Sequence, residues 1–131
     1  TMGYSVPAAI GAKIAKPHRQ VVAVCGDGSF QMCMCELGTL IQNGVDIKII
    51  IMENQRLGMV REFQDRLYGC RHIGTVLVHG NPDFVKLAES YGIEAARAEN
   101  NAQAKELAQH MLQSNKAFIL VCSVDPEIPS I

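Results

Sequence analysis

Two short apolar runs, each closed by a polar residue able to carry chemistry, constrain this chain more than anything else in it. The first is Val21-Val22-Ala23-Val24-Cys25, followed by Gly26-Asp27-Gly28. The second is Ile47-Lys48-Ile49-Ile50-Ile51-Met52, followed by Glu53-Asn54. Both are brief and rich in β-branched residues, the pattern of strands buried in a parallel sheet. Between them Phe30, Met34, Leu37 and Ile41 recur at i, i+4, i+7 and i+11, one apolar stripe of a helix that Asn43-Gly44 stops. Strand, helix and strand make a βαβ unit with a right-handed crossover. Asp27 and Asn54 then stand at the carboxyl ends of two parallel strands, where open α/β sheets bind ligands.

The residue types at those ends suit one kind of ligand. Gly26 and Gly28 permit a sharp turn and a close approach, and a helix opening beyond Gly28 presents free N–H groups to phosphate. Asp27 offers an anionic oxygen and Asn54 a neutral amide oxygen, hard donors of the kind Mg²⁺ shares with a diphosphate. Gly-Asp-Gly alone is more often a plain strand-to-helix turn. A second strand ending in Asn, with Gly58 soon after, shifts the balance towards a site.

These residues carry a resemblance. Gly26-Asp27-Gly28, with Asn54 twenty-seven positions after Asp27, resembles the GDG…N signature of thiamine-diphosphate (ThDP) enzymes. Gly26 to Met32, Glu36-Leu37-Gly38-Thr39 and Asn54-Gln55-Arg56-Leu57-Gly58-Met59-Val60 resemble the large, catalytic subunit of acetolactate synthase. Thr1-Met2-Gly3-Tyr4, Pro7 to Ala12 and Val124-Asp125-Pro126-Glu127 fit the same family. The likeness covers essentially the whole chain, but only that family's C-terminal, diphosphate-binding domain.

The resemblance implies a set of roles. Asp27, Asn54 and the backbone carbonyl of Arg56 would hold Mg²⁺. Gly28, Ser29 and Asn54 would lie near the phosphates, and Gly26 would also belong to the cofactor-binding set. Met2 would support the bent cofactor, and Leu57, Gly58 and Met59 would line its pocket. Met59 and Phe63 would border the substrate channel, Phe63 standing where many members have tryptophan. On residues alone, Met2 and Met59 would pass for ordinary apolar positions. The resemblance further implies 2-oxoacid substrates, FAD bound outside this stretch, and a homodimer or tetramer that brings in pyrimidine-binding domains. It also allows a regulatory small subunit. No catalytic residue is expected within the chain, because the glutamate that activates ThDP belongs to a separate domain. Glu53 departs from the usual Asn-Asn pair and is expected to add charge beside the site.

Composition narrows the remaining classes. At 131 residues the chain is a single domain, 1–131, and with Thr1 at its start it is expected to be a fragment of a longer polypeptide. Thirteen acidic residues balance twelve basic ones without a basic run, which argues against nucleic acid, and no apolar run is long enough for a membrane helix. Five cysteines without Cys-x-x-Cys spacing argue against a disulfide framework or zinc site and favour a reducing cytoplasm. Cys25 and Cys122 are expected in buried strands, and Cys33 and Cys35 on different sides of a helix.

The rest of the chain continues the alternation. A helix from Ser5, as N-cap, runs to Ala15 before Pro17. Asn81-Pro82 is expected to open a helix with Phe84, Ala88 and Tyr91 on one face, closed by Gly92. Ile93 to Ala98 is a weak strand, Ala104, Leu107, Ala108, Met111 and Leu112 form a helical face, and Ala117 to Val124 is a buried strand. Thr75 to Val78 is expected to be an extended piece over the site. Arg61, Arg66 and Arg71 are expected as solvated charges, and His72 and His79 as surface or capping residues. This pattern specifies an α/β fold, a doubly wound and mostly parallel sheet flanked by helices. The alternatives are another ThDP enzyme such as a pyruvate oxidase or 2-oxoacid decarboxylase, and a non-catalytic α/β module. A dinucleotide-binding domain is disfavoured, because Gly26 to Gln31 lacks the third glycine of Gly-x-Gly-x-x-Gly.

Overall fold

The computed structural model describes residues 1–128. Its strands are β1 (Val22–Gly26), β2 (Lys48–Glu53), β3 (Glu94–Ala98) and β4 (Phe118–Ser123). They form one sheet in the order β1-β2-β4-β3, and every pair is parallel. The helices are α1 (Ser5–Ala15), α2 (Asp27–Gln31), α3 (Glu36–Gln42), α4 (Gly58–Leu67), α5 (Phe84–Ser90) and α6 (Asn101–Gln113). The register sets Cys25 beside Ile51 and Ile51 beside Val121, so the strand ends that carry Asp27, Asn54 and Val124 lie along one rim.

Helices cover the two faces unequally. Val6 and Ile10 of α1, Phe30, Leu37, Leu40, Phe84 and Ala88 pack on one face against Ala23, Cys25, Ile49, Ile51, Ile119 and Val121. Phe30 and Phe84 meet edge to face at 5.5 Å, joining α2 to α5. On the other face, among the described residues, only α6 is laid down, its Met111 fully buried on Phe118 and Leu120. Among the described residues no helix lies over the β1 half of that face, so Val22 and Val24 are exposed while Ala23 and Cys25 are buried. The expectation that β1 is buried on both sides is corrected accordingly.

Four further expectations are revised by local geometry. The helix after Gly28 is two pieces, α2 and α3, and its buried stripe is Phe30, Cys33, Leu37 and Leu40, with Met34 and Ile41 exposed. Between the pieces the backbone tightens to i→i+3 bonds, Cys33 N to Phe30 O and Glu36 N to Cys33 O among them. At three residues per turn the stripe advances faster than an α-helix allows. Ser5 is the first residue of α1 rather than its cap, and Tyr4 takes the cap position without a side-chain bond. Asp83, not Asn81, caps α5: its carboxylate accepts from the N–H groups of Val85 and Lys86. Leu112 is exposed because Met111 and Leu107 already fill the contact with the sheet.

All five cysteines are free. Cys25 and Cys33 are buried and Cys35 is exposed, and burial pushes the Cys25 thiol up to about 11. Since the thiolate is the reactive form, iodoacetamide at pH 8 should leave Cys25 and Cys33 unlabelled until the protein is unfolded, as peptide mass mapping would read. Among the described residues, no helix is long and apolar enough to cross a membrane.

Candidate functional site

The rim above β1 and β2 is organised by one carboxylate. Gly26 leaves β1 in an extended conformation, and Asp27 begins α2 with its side chain buried. Asp27 Oδ1 accepts from the Gly28 N–H at 2.9 Å. Its Oδ2 accepts from the Gln55 N–H at 2.7 Å and from Asn81 Nδ2 at 2.8 Å. Gln55 takes a left-handed conformation (φ 57°), which turns the chain sharply after β2. Asn54 Oδ1 accepts from the Arg56 N–H at 3.1 Å, so the two expected ligand side chains build the turn they share.

That turn is clasped from outside. Arg56 pairs with Val76 in an antiparallel bridge. The Leu57 N–H donates to Thr75 O and the Leu77 N–H to Gln55 O. The segment expected to be extended over the site is therefore one side of a two-stranded clasp. Gln64 of α4 holds it by accepting from the Thr75 hydroxyl and donating to Ile73 O.

Met2, Gly26, Asp27, Gly28, Ser29, Asn54, Arg56, Leu57, Gly58 and Met59 come together, with Met52 and Val60, around one pocket of about 350 Å³. Met2 is tied in through Gly3, whose N–H donates to Ser29 Oγ at 3.0 Å. The Ser29 hydroxyl proton stays available for another acceptor. A Cβ on Gly28 would lie 2.5 Å from Leu57 Cδ2, 3.3 Å from Leu77 Cδ1 and 3.6 Å from Met2 Cε. Only glycine leaves the backbone bare there.

Two helices open at this rim, α2 and α4, and they differ in length. With five residues, α2 is too short to project an appreciable dipole. The ten-residue α4 has no side chain capping it, and its Gly58, Met59 and Val60 line the pocket. Its first helical bond runs from Arg61 N to Leu57 O, so the N–H groups of those three residues have no partner within the helix.

The donor set limits which ion could sit there. Among the described residues, no group of three or more His, Cys, Asp or Glu could hold a metal. A cation at this rim would have to combine Asp27 with amide and carbonyl oxygens. That oxygen-only set of low charge fits Mg²⁺ and not zinc or copper.

Glu53 does not face this pocket. Its side chain, 6 % exposed, pairs with Arg97 of β3 and borders a separate polar cleft. Glu53 accepts a hydrogen bond from the Arg97 guanidinium and so raises its basicity. The expected extra charge beside the site is neutralised within the fold. Arg97→Met would leave Glu53 buried and unpaired. We expect a loss of about 3 kcal/mol in a denaturant melt, the low end for a broken buried pair because Arg97 keeps contact with water.

Other residues fall outside the pocket. Phe63 is half-exposed and lines an apolar groove with Val60, Tyr68 and Ile73. Arg61 is not a free surface charge: it donates to Pro126 O and pairs with Glu127, which also pairs with Arg56. This binds the turn at 125–127 to α4. His72 pairs with Asp65, holding that carboxyl below its usual range. His79 is exposed. The residues that sequence reasoning missed are Asn81, Gln31, Gln55 and Leu77. Asp83 offered a signal for Asn81, since a second capping residue directly before Phe84 frees the first for other work.

Residues 1–122 match the thiamine pyrophosphate enzyme, C-terminal TPP binding domain family. The acetolactate synthase large subunit of Cyanidium caldarium is 44% identical over 124 residues, 95% of this chain and 21% of that one. The acetolactate synthase of Arthrospira platensis is 47% identical over 112 residues, 86% and 19% of the two chains. The isozyme 2 large subunit of Escherichia coli K12 is 41% identical over 125 residues, 95% and 23%. A solved structure, the thiamine diphosphate-dependent 4-hydroxybenzoylformate decarboxylase of Rhodococcus jostii RHA1, superimposes with a TM-score of 0.86 at 28% identity, covering 95% of this chain and 23% of that one. The chain spans about a fifth of the length of the curated relatives it matches.

Proposed function

Because the chain belongs to the thiamine pyrophosphate enzymes, as their C-terminal TPP-binding domain, we propose that it is the diphosphate-binding part of an acetolactate synthase large subunit. The complete protein would release CO2 from pyruvate and join the remaining two-carbon unit to a second pyruvate or to 2-oxobutyrate. The products, 2-acetolactate and 2-aceto-2-hydroxybutyrate, are precursors in branched-chain amino acid biosynthesis. Identities of 41–47% to acetolactate synthases support this over a decarboxylase or an oxidase. The single observation that carries the site is the gathering of Asp27, Asn54 and Arg56 around the pocket that Gly28 keeps open.

Each residue has a part. Asp27 Oδ1, Asn54 Oδ1 and the Arg56 carbonyl would hold Mg²⁺, and the free N–H groups of Gly58, Met59 and Val60 would receive the diphosphate. Ser29 would donate its hydroxyl proton to a phosphate oxygen. Met2, Leu57 and Met59 would exclude water and hold the organic part in place, with Phe63 further out towards the substrate channel. When bound, thiamine diphosphate supplies the electron sink for breaking and making the bond beside the 2-oxoacid carbonyl. The activating glutamate, the FAD site and the pyrimidine-binding domains would belong to the rest of the polypeptide. That polypeptide would act as a homodimer or tetramer, with a regulatory small subunit as a further partner. The chain alone should not turn over substrate, and five free cysteines suit the reducing cytoplasm.

Product identification tests this reading. The complete protein with pyruvate, thiamine diphosphate, Mg²⁺ and FAD should release acetolactate. Acetaldehyde or an acetyl product instead would move it to a sister enzyme. Gly28→Ala should weaken cofactor binding about tenfold in a calorimetric titration, because the new methyl displaces the Leu57 side chain into the pocket.

A further inference from the structure

We infer that Asn81, itself held by Gln31, is a positioning residue for the Asp27 carboxylate and thereby sets the affinity of the site for its divalent cation. This rests on the reading of Asp27 as a Mg²⁺ ligand. Gln31 Nε2 donates to Asn81 Oδ1 at 2.6 Å, and Asn81 Nδ2 donates to Asp27 Oδ2 at 2.8 Å. The first bond fixes which end of the Asn81 amide faces Asp27: with its oxygen turned to Gln31, its N–H can only point at the carboxylate.

The consequence follows from counting lone pairs. Each carboxylate oxygen accepts about two hydrogen bonds. Asp27 Oδ2 has the Gln55 N–H and the Asn81 amide, so it is full. Oδ1 has only the Gly28 N–H and keeps one acceptor site. Asp27 is therefore preset to meet a cation through Oδ1, one oxygen only, without a rotamer search. Without Asn81, Oδ2 is free to compete, and the carboxylate loses its single presentation.

Position in the chain supports the assignment. Asn81 is not needed at its own helix, since Asp83 supplies the α5 cap. Gln31 is the last residue of α2, the helix that Asp27 begins, so the relay closes a ring from one end of α2 to the other. Asn81 also ends the segment that clasps residues 55–57, through Leu77 and the Asn81 N–H bonded to Leu77 O. One side chain thus joins the carboxylate, its helix and the clasp.

The test uses the complete protein stripped of metal and cofactor. Thiamine diphosphate binding is titrated calorimetrically over a series of Mg²⁺ concentrations, and turnover is measured at saturating Mg²⁺. Partners behind a metal ligand are typically worth 10–100-fold in metal affinity. Asn81→Ala should raise half-saturating Mg²⁺ by about tenfold, with kcat at saturation and KM for the 2-oxoacid within about twofold of the parent. Gln31→Ala should move Mg²⁺ in the same direction, and the double variant should be no worse than Asn81→Ala alone, because the two act in series. If Asn81→Ala does not fold, Gln31→Ala carries the same test with the Asn81 side chain in place. An unchanged Mg²⁺ dependence in these variants, while Asp27→Ala abolishes it, overturns this inference and leaves the site intact. Mg²⁺-dependent binding that survives Asp27→Ala overturns the site itself.

Discussion

Asp27→Ala should cost the complete protein its Mg²⁺-dependent binding of thiamine diphosphate, and with it acetolactate formation. Partners behind a metal ligand are worth 10–100-fold, so loss of Asp27, the proposed anionic ligand, should exceed about 100-fold in half-saturating Mg²⁺. The substitution has a structural cost too. Asp27 accepts three hydrogen bonds while almost wholly buried, and its removal leaves the Gln55 N–H and the Asn81 amide facing an empty place. A loss of about 2 kcal/mol in stability is expected from stranded donors of this kind. Cofactor calorimetry and a denaturant melt on the same preparation separate the two effects. A folded Asp27→Ala protein that still needs Mg²⁺ to bind thiamine diphosphate would show that the metal sits elsewhere.

Phe30→Ala should be the most damaging change to the fold. The ring is fully buried, stands edge-on to Phe84, and joins α2 to α5 beneath the site. Truncating a buried phenylalanine costs about 3–5 kcal/mol, and domains of this size have about 5–15 kcal/mol in all. The effect should also reach function, since Phe30 lies three residues from Asp27 on the same short helix. Weaker Mg²⁺-dependent binding should therefore accompany the lower melting temperature. Phe30→Leu, which keeps most of the volume, should restore both in large part. Full stability in Phe30→Ala would contradict this packing of α2 on α5.

What could be read from the chain and what could not divide along physical lines. Asp27, Gly28 and Asn54 were legible because a short buried strand must end somewhere, and the residues at its end are fixed by sequence alone. The parallel sheet was legible for the same reason: each strand pattern is separated from the next by at least one helical pattern. The phase of the helix after Gly28 was not, because a tightened turn between Gln31 and Glu36 leaves no mark in the apolar spacing, and it moved burial from Met34 and Ile41 to Cys33 and Leu40. Exposure of Val24 was hidden too, since strand patterns do not tell which faces have a helix to cover them. Asn81 was the hardest. An asparagine before proline reads as a helix cap, and only the closed fold sets it against a carboxylate 54 positions earlier. The lengths of α2 and α4, which govern their dipoles, were less legible than the existence of a helix at each place.

A structure of the complete protein with thiamine diphosphate and Mg²⁺ bound tests the central claim most directly. On that claim Mg²⁺ is expected at about 2.1 Å from Asp27 Oδ1, the Asn54 amide oxygen and the Arg56 carbonyl. The diphosphate is expected against the N–H groups of Gly58, Met59 and Val60, with Asn81 still donating to Asp27 Oδ2. A metal held by other residues, or a diphosphate away from the first turn of α4, would contradict it.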